Sequence, residues 1–196
     1  MPSLRAFALL LFALLFLPSA AYAEGSTGGA TYEPPPPPPP GNMTVPGLKA
    51  KLLPDGTAAA PAAAPRAVQE AIWAANRLQD KPYKYGGGHA RIEDTGYDCS
   101  GTVSYALHHA GLLDSPLPSG DFLSWGRRGR GRWITVWTNY GHAYMIIAGL
   151  RLDTSAYAYR TRTSRRYARS AFERGPRWRP TRRPWRGFRA RHPVGL

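Results

Sequence analysis

The sequence is poor in several features that define whole protein classes. Its single cysteine among 196 residues forms no intramolecular disulfide, which excludes a disulfide-stapled miniprotein and a multi-cysteine zinc site. Acidic residues are scarce, 12 against 26 Lys and Arg, and the resulting formal charge of +14 predicts anionic partners without saying which. The one uninterrupted apolar run, residues 6–17, would span about 18 Å as a helix, short of the ~30 Å hydrocarbon core of a bilayer. There is no internal repeat, no His-Glu-x-x-His pattern, and no phosphate-binding glycine motif in a strand–loop–helix setting. The hydrophobic fraction of 43% is ordinary for a globular protein, so the chain as a whole is not disordered.

What is present divides the chain into three parts. Arg5, the apolar run and the small-x-small triplet Ala21-Tyr22-Ala23 have the order of a cleaved export signal over residues 1–23. No cysteine follows the run, which argues against a lipoprotein anchor. Residues 24–65 read as a tether. They hold Gly-Ser-Thr-Gly-Gly, seven consecutive prolines at 34–40 and an Ala/Pro-rich stretch at 57–65. Polyproline is extended at about 3.1 Å per residue and builds no hydrogen-bonded core. A folded domain is then expected over 66–196.

Within that domain, Pro65 suits the start of a helix, and Val68, Ala71, Ile72, Ala75 and Leu78 recur at helical spacing. Asp80-Lys81-Pro82 ends it. A second helix is predicted from the Asp98-Cys99-Ser100-Gly101 segment to His109, stopped by Gly111. Arg127 to Arg132 reads as a Gly/Arg loop. Three β-rich runs follow, at 133–138, 142–148 and 150–155, the last two joined by a tight Ala148-Gly149 turn. Helices followed by an antiparallel sheet predict an α+β domain.

A lone cysteine is either a small buried hydrophobe or a nucleophile. Cys99 falls in the first turn of a helix, where unpaired N–H groups and the helix dipole stabilise a thiolate. Glycines at 86–88 and 101 are expected to leave room for a substrate backbone. A base is available in His142, which opens a β-run, and Asp153 lies eleven residues later on the partner strand. An even offset keeps both on one face of the hairpin, within cross-strand reach. Each has a plainer role, His142 as an ordinary surface or core residue and Asp153 as a turn cap. Together, in this order, they match a thiolate nucleophile, an imidazole acid/base and an orienting carboxylate.

Three segments, Pro82-Tyr83-Lys84-Tyr85-Gly86-Gly87, Tyr97-Asp98-Cys99-Ser100-Gly101 and Gly141-His142-Ala143-Tyr144, resemble the NlpC family of papain-like cell-wall cysteine peptidases. The likeness covers residues 66–155. It implies a papain-like α+β core and hydrolysis of amide bonds in peptidoglycan stem peptides, commonly the D-glutamyl to diamino-acid link. On the matching positions, Cys99 is the nucleophile, His142 the general base and Asp153 the third polar residue. Tyr83 lines the site and assists the oxyanion, and Asp98 and Ser100 lie near the substrate's amino end. Tyr85 stands where the family has Trp. The Pro-Gly-Asp-Leu strand expected before the histidine is replaced by the stretch 129–140.

Residues 160–191 hold 13 Arg and one acidic residue, Glu173, interleaved with Tyr167, Phe172, Trp178, Trp185 and Phe188. In an exported protein this composition favours retention on the anionic wall over nucleic acid, or else an irregular surface whose aromatics cover the sheet. Arg127, Arg128, Arg130 and Arg132 form a second basic loop, placed to meet an acidic stem peptide. His108 and His109 point about 100° apart on a helix and suit no metal site. The expectation is therefore a secreted, wall-associated, monomeric cysteine peptidase needing no metal or organic cofactor, without stable membrane insertion and without a nucleic-acid partner. A wall amidase using the same Cys–His pair and a non-catalytic wall-binding protein are the alternatives.

Overall fold

The computed structural model describes residues 42–155, 175–181, 184 and 186–196. The expected export signal, the tether up to residue 41, and Tyr167, Phe172 and Trp185 of the basic tail lie outside the described residues. Two helices, α1 (Arg66–Asn76) and α2 (Cys99–His109), combine with two sheets in an α+β arrangement. The fold class read from the pattern of elements is the one observed.

The first sheet occupies ground where a tether was expected. Strands β1 (Thr44–Val45), β2 (Lys51–Leu52) and β3 (Ala58–Pro61) pair in the order β1-β3-β2. Ala58, Ala59 and Ala60 are wholly buried. An Ala-rich segment is compositionally like a linker, but three methyl side chains let its backbone lie directly against α1. Asn76, the last residue of α1, fixes that contact. Its Oδ1 accepts from the Ala58 N–H at 2.8 Å and its Nδ2 donates to the Ala58 carbonyl at 2.9 Å. Gln69 Nε2 donates to the carbonyls of Pro61, Ala62 and Ala64 at 3.1–3.2 Å. The folded part of the chain thus includes residues 42–65, and the boundary expected near Pro65 is corrected.

Pro65 does precede the first helical residue, and Val68, Ala71, Ile72 and Ala75 form its buried stripe. Leu78, placed in this helix by its spacing, sits in the turn that follows and is still buried. Helix α2 starts at Cys99 and ends at His109, with Gly111 adopting φ +67° beyond it. Val103, Ala106 and Leu107 of α2 pack with the stripe of α1 against one face of the second sheet, on Val136, Ala143, Met145 and Leu152.

That second sheet contains β4 (Arg127–Arg128), β5 (Ile134–Asn139), β6 (His142–Ile147), β7 (Leu150–Asp153), β8 (Arg177–Arg179) and β9 (Arg189–His192). Their order is β4-β9-β5-β6-β7-β8, with every pair antiparallel. The hairpin of β6 and β7 turns on Ala148 (φ +45°) and Gly149 (φ +93°), two left-handed residues that match the twist of the flanking strands. Two departures concern arginine-rich segments. Arg127 and Arg128 of the expected loop form a strand, and the tail contributes β8 and β9. Trp178 turns inward from β8 to the core while its arginine neighbours alternate outward, a short period-2 pattern that the density of charge concealed.

Asn76 ties three elements together, because its Oδ1 also accepts the Trp178 indole N–H at 2.8 Å. Leaving a buried polar group unsatisfied costs about 1–3 kcal/mol, so Asn76→Ala is expected to lower stability by roughly 2–4 kcal/mol in urea titration. A loss below about 0.5 kcal/mol would show that β3 is not part of the cooperative fold.

Candidate active site

Cys99 is the first residue of α2 and is half-buried. Asp98 is the N-cap, in extended conformation, accepting from the Gly101 N–H at 2.7 Å, the arrangement that satisfies one orphan donor of a helix start. The Cys99 N–H has no intrahelical acceptor and makes no hydrogen bond to a described residue. It is a free donor among the described residues, on the same residue as the thiol.

His142 opens β6 at the end of the sheet. The pairing of Met145 with Leu152 and Ile147 with Leu150 sets Asp153 opposite Tyr144, two residues from His142. The two are diagonal neighbours on one strand face, as an even offset requires. His142 Nε2–H donates to Asp153 Oδ1 at 2.9 Å. With Nε2 so engaged, Nδ1 is the ring nitrogen left for Cys99, whose side chain helps to raise the His142 pKa. Asn139 shapes the entry to the strand: its Oδ1 accepts from the N–H groups of Gly141 and His142, both at 2.9 Å. Phe188 of the basic tail packs edge-on against the imidazole, with ring centroids 6.1 Å apart.

Asp153 is buried, with its carboxylate fully satisfied. Oδ1 also accepts from the Ser155 N–H at 2.8 Å, and Oδ2 accepts from Arg151 Nη1. Arg151 itself is 1% exposed and reaches the Pro180 carbonyl through Nε at 3.3 Å. Burial pushes the His142 pKa down, but the Asp153 hydrogen bond, the Cys99 hydrogen bond and the charges of both raise it to about 9. At neutral pH His142 is an imidazolium with its charge set between Asp153 and Cys99.

A second cluster backs the thiol. Asp98 Oδ2 accepts from the Gly86 N–H at 3.1 Å, and Oδ1 lies 3.0 Å from His89 Nε2 and 3.2 Å from Ser100 Oγ. Burial pushes the Asp98 pKa up, yet the bonds from His89, Gly101 and Ser100 outweigh it and hold the carboxyl below its ordinary value. For His89 the Asp98 hydrogen bond is the largest influence and raises its pKa. Asp98 thus fastens the glycine loop to the start of α2.

Three of the four glycines do something other than leave space. A Cβ on Gly101 would stand 2.0 Å from the Gly87 carbonyl oxygen, and one on Gly88 would meet the Tyr97 ring at 2.6 Å. Gly87, Gly88 and Gly101 are small because the loop packs tightly there, which corrects the expectation of open room at these positions, whereas a Cβ on Gly86 would meet nothing within 4 Å. Tyr83 is held at this end by a bridge to Tyr97, two residues before Cys99.

The structure therefore brings Cys99, His142 and Asp153 into one chain of contacts, with Asp98 and Ser100 flanking the nucleophile and Tyr83 on the adjoining segment. His108 and His109 go elsewhere, to the Leu113 carbonyl at 3.0 Å and Glu93 at 3.1 Å. One participant was missed. Arg151 shares a strand face with Asp153 by simple alternation in Leu-Arg-Leu-Asp, a signal present in the sequence. His89, whose place in the glycine loop already allows it to approach the site, is brought by that loop to Asp98. No protein-family model matches this chain, and no curated protein matches it.

Because folding raises the His89 pKa above its ordinary 6.5, its bond to Asp98 stabilises fully below pH 6.5 and fades as pH rises through the folded value. His89→Gln should cost about 1 kcal/mol in urea titration at pH 6 and less at pH 8.5. A cost that grows with pH would contradict a charge-assisted bond.

Proposed function

We propose that this protein is a cysteine peptidase that hydrolyses amide bonds in peptidoglycan stem peptides, built on a papain-like core. The observation that carries the proposal is the Cys99–His142–Asp153 chain, a half-buried thiol at a helix N-terminus with a charged imidazole fixed beside it by a buried carboxylate. A cysteine helix packed on an antiparallel sheet that supplies the histidine suits that core. The peptidoglycan substrate class rests on the motif resemblance around Tyr83, Cys99 and His142, and so does the D-glutamyl to diamino-acid bond.

In this reading Cys99 Sγ attacks the carbonyl carbon of the scissile amide, and the developing oxyanion meets the free Cys99 N–H. His142 Nδ1–H gives its proton to the leaving amine as the C–N bond breaks, leaving a thioester on Cys99. Water then attacks the thioester, His142 takes its proton, and the acid product departs with the thiolate restored. Asp153 keeps the imidazole oriented through both steps, and Arg151 keeps Asp153 in place. Asp98 and Ser100 form the wall on the far side of the nucleophile, and Tyr83 stands beside the oxyanion.

The test is digestion of purified wall sacculi followed by mass spectrometry of the released peptides. Wild-type protein should generate new D-glutamyl carboxyl and diamino-acid amino termini. Cys99→Ala should lose at least about 10³-fold in rate, and Asp153→Asn about 10²-fold. Cleavage between sugar and peptide would make it an amidase instead. Unchanged product release from Cys99→Ala would overturn Cys99 as nucleophile, and sedimentation with sacculi without any product would make it a binding protein.

A further inference from the structure

On the sheet face that carries His142, a pocket of about 650 Å³ opens between Arg130, Thr135, Trp137, Ile146 and Pro184. The register explains the shared face. Asn139 pairs with His142, Trp137 with Tyr144 and Thr135 with Ile146, so Trp137 and Ile146 alternate onto the side of the imidazole. Ile146 lies four residues from His142, about 13 Å along a strand.

Two donors line this pocket, the buried Trp137 indole N–H and the exposed Arg130 guanidinium, neither with an acceptor among the described residues. Trp137 is 8% exposed and its Nε1–H is buried without a hydrogen-bond partner among the described residues. A buried unsatisfied donor is uncommon enough in a folded protein to need an explanation. Arg130 lies over the same indole, 5.3 Å from the ring centroid, and makes no ion pair with any described carboxylate. Ile146, Pro184 and the indole supply apolar walls. A bare inorganic anion would leave those walls unused, whereas a carboxylate carried on an aliphatic residue satisfies both donors and fills the apolar space.

We propose that this pocket is a remote substrate subsite that binds a carboxylate of an extended peptide whose scissile amide lies at Cys99. Four extended residues cover about 13 Å at about 3.3 Å each, the separation of Ile146 from His142 along β6, across a strip where Tyr144 is buried and Phe188 packs on both Tyr144 and His142. The proposal deepens the peptidase reading and rests on it, because that reading supplies the occupant. Arg130 and the Trp137 indole N–H act as specificity determinants, raising affinity for acidic peptides and leaving the chemistry at Cys99 untouched.

The test uses full-length Cys99→Ala protein, labelled with ¹⁵N, whose Trp137 indole N–H resonance is assigned with Trp137→Phe. It is titrated with a stem-type pentapeptide ending in a free carboxylate, with the same peptide as its terminal amide, and with sodium phosphate. The free acid should shift the indole resonance and bind at least about fivefold more tightly than the amide, with Arg130→Gln erasing the difference and phosphate having no comparable effect. Equal binding of acid and amide, or an equal shift with phosphate, would overturn the subsite. In wild-type protein, Arg130→Gln should raise KM for the acid peptide and leave kcat unchanged. If kcat persists and KM does not move, the subsite fails while the peptidase reading stands. If the wild-type protein cleaves neither peptide nor sacculi, the peptidase reading fails first.

Discussion

The site depends on one buried carboxylate. Asp153 has no exposed side-chain surface and stands between Arg151, almost equally buried, and His142. Taking a carboxylate out of water costs several kcal/mol unless it is paired and its lone pairs are filled. Here a guanidinium, an imidazole and a backbone N–H fill them. The pairing makes the carboxylate tolerable in the interior and at the same time fixes which ring nitrogen of His142 is left for Cys99. Remove Arg151 and a buried anion loses its partner. Remove Asp153 and Arg151 is stranded, with the imidazole free to turn.

Cys99 is positioned by a separate but similar device. Asp98 caps α2 and receives hydrogen bonds from the glycine loop and from His89, so the thiol sits at a helix start whose neighbours cannot slide. The close approach of Gly87 to Gly101 leaves no volume between loop and helix. One carboxylate organises Cys99 and another His142. The hydrophobic contact of α2 with β6 brings the two halves together.

Much of this was legible in the sequence, for local reasons. The Asp-Cys-Ser-Gly start and the Gly111 stop placed α2, and period-2 alternation with a two-residue turn placed the hairpin of His142 and Asp153. Both signals arise within about a dozen residues, where backbone geometry dictates which side chains meet. What failed was non-local. Ala58 to Ala60 look like linker because a strand of alanines has no pattern of its own. Its burial is decided by Asn76 and Gln69 on another element. Residues 177–179 and 189–192 look like a charged tail because arginine dominates them, yet β8 is an edge strand, where arginine is readily accepted, and β9, paired on both sides, leaves Arg189 exposed. The glycine loop put His89 near the site, but its partner Asp98 was not legible because a loop, not a period, carries it there.

The account stands most directly on the charge of His142. An NMR titration of its ring in the full chain should show an inflection near pH 9, moving down toward the ordinary imidazole range in Asp153→Asn. An inflection near 6.5 in the wild-type protein, indifferent to Asp153, would contradict the buried carboxylate as the element that holds the imidazole charged beside Cys99.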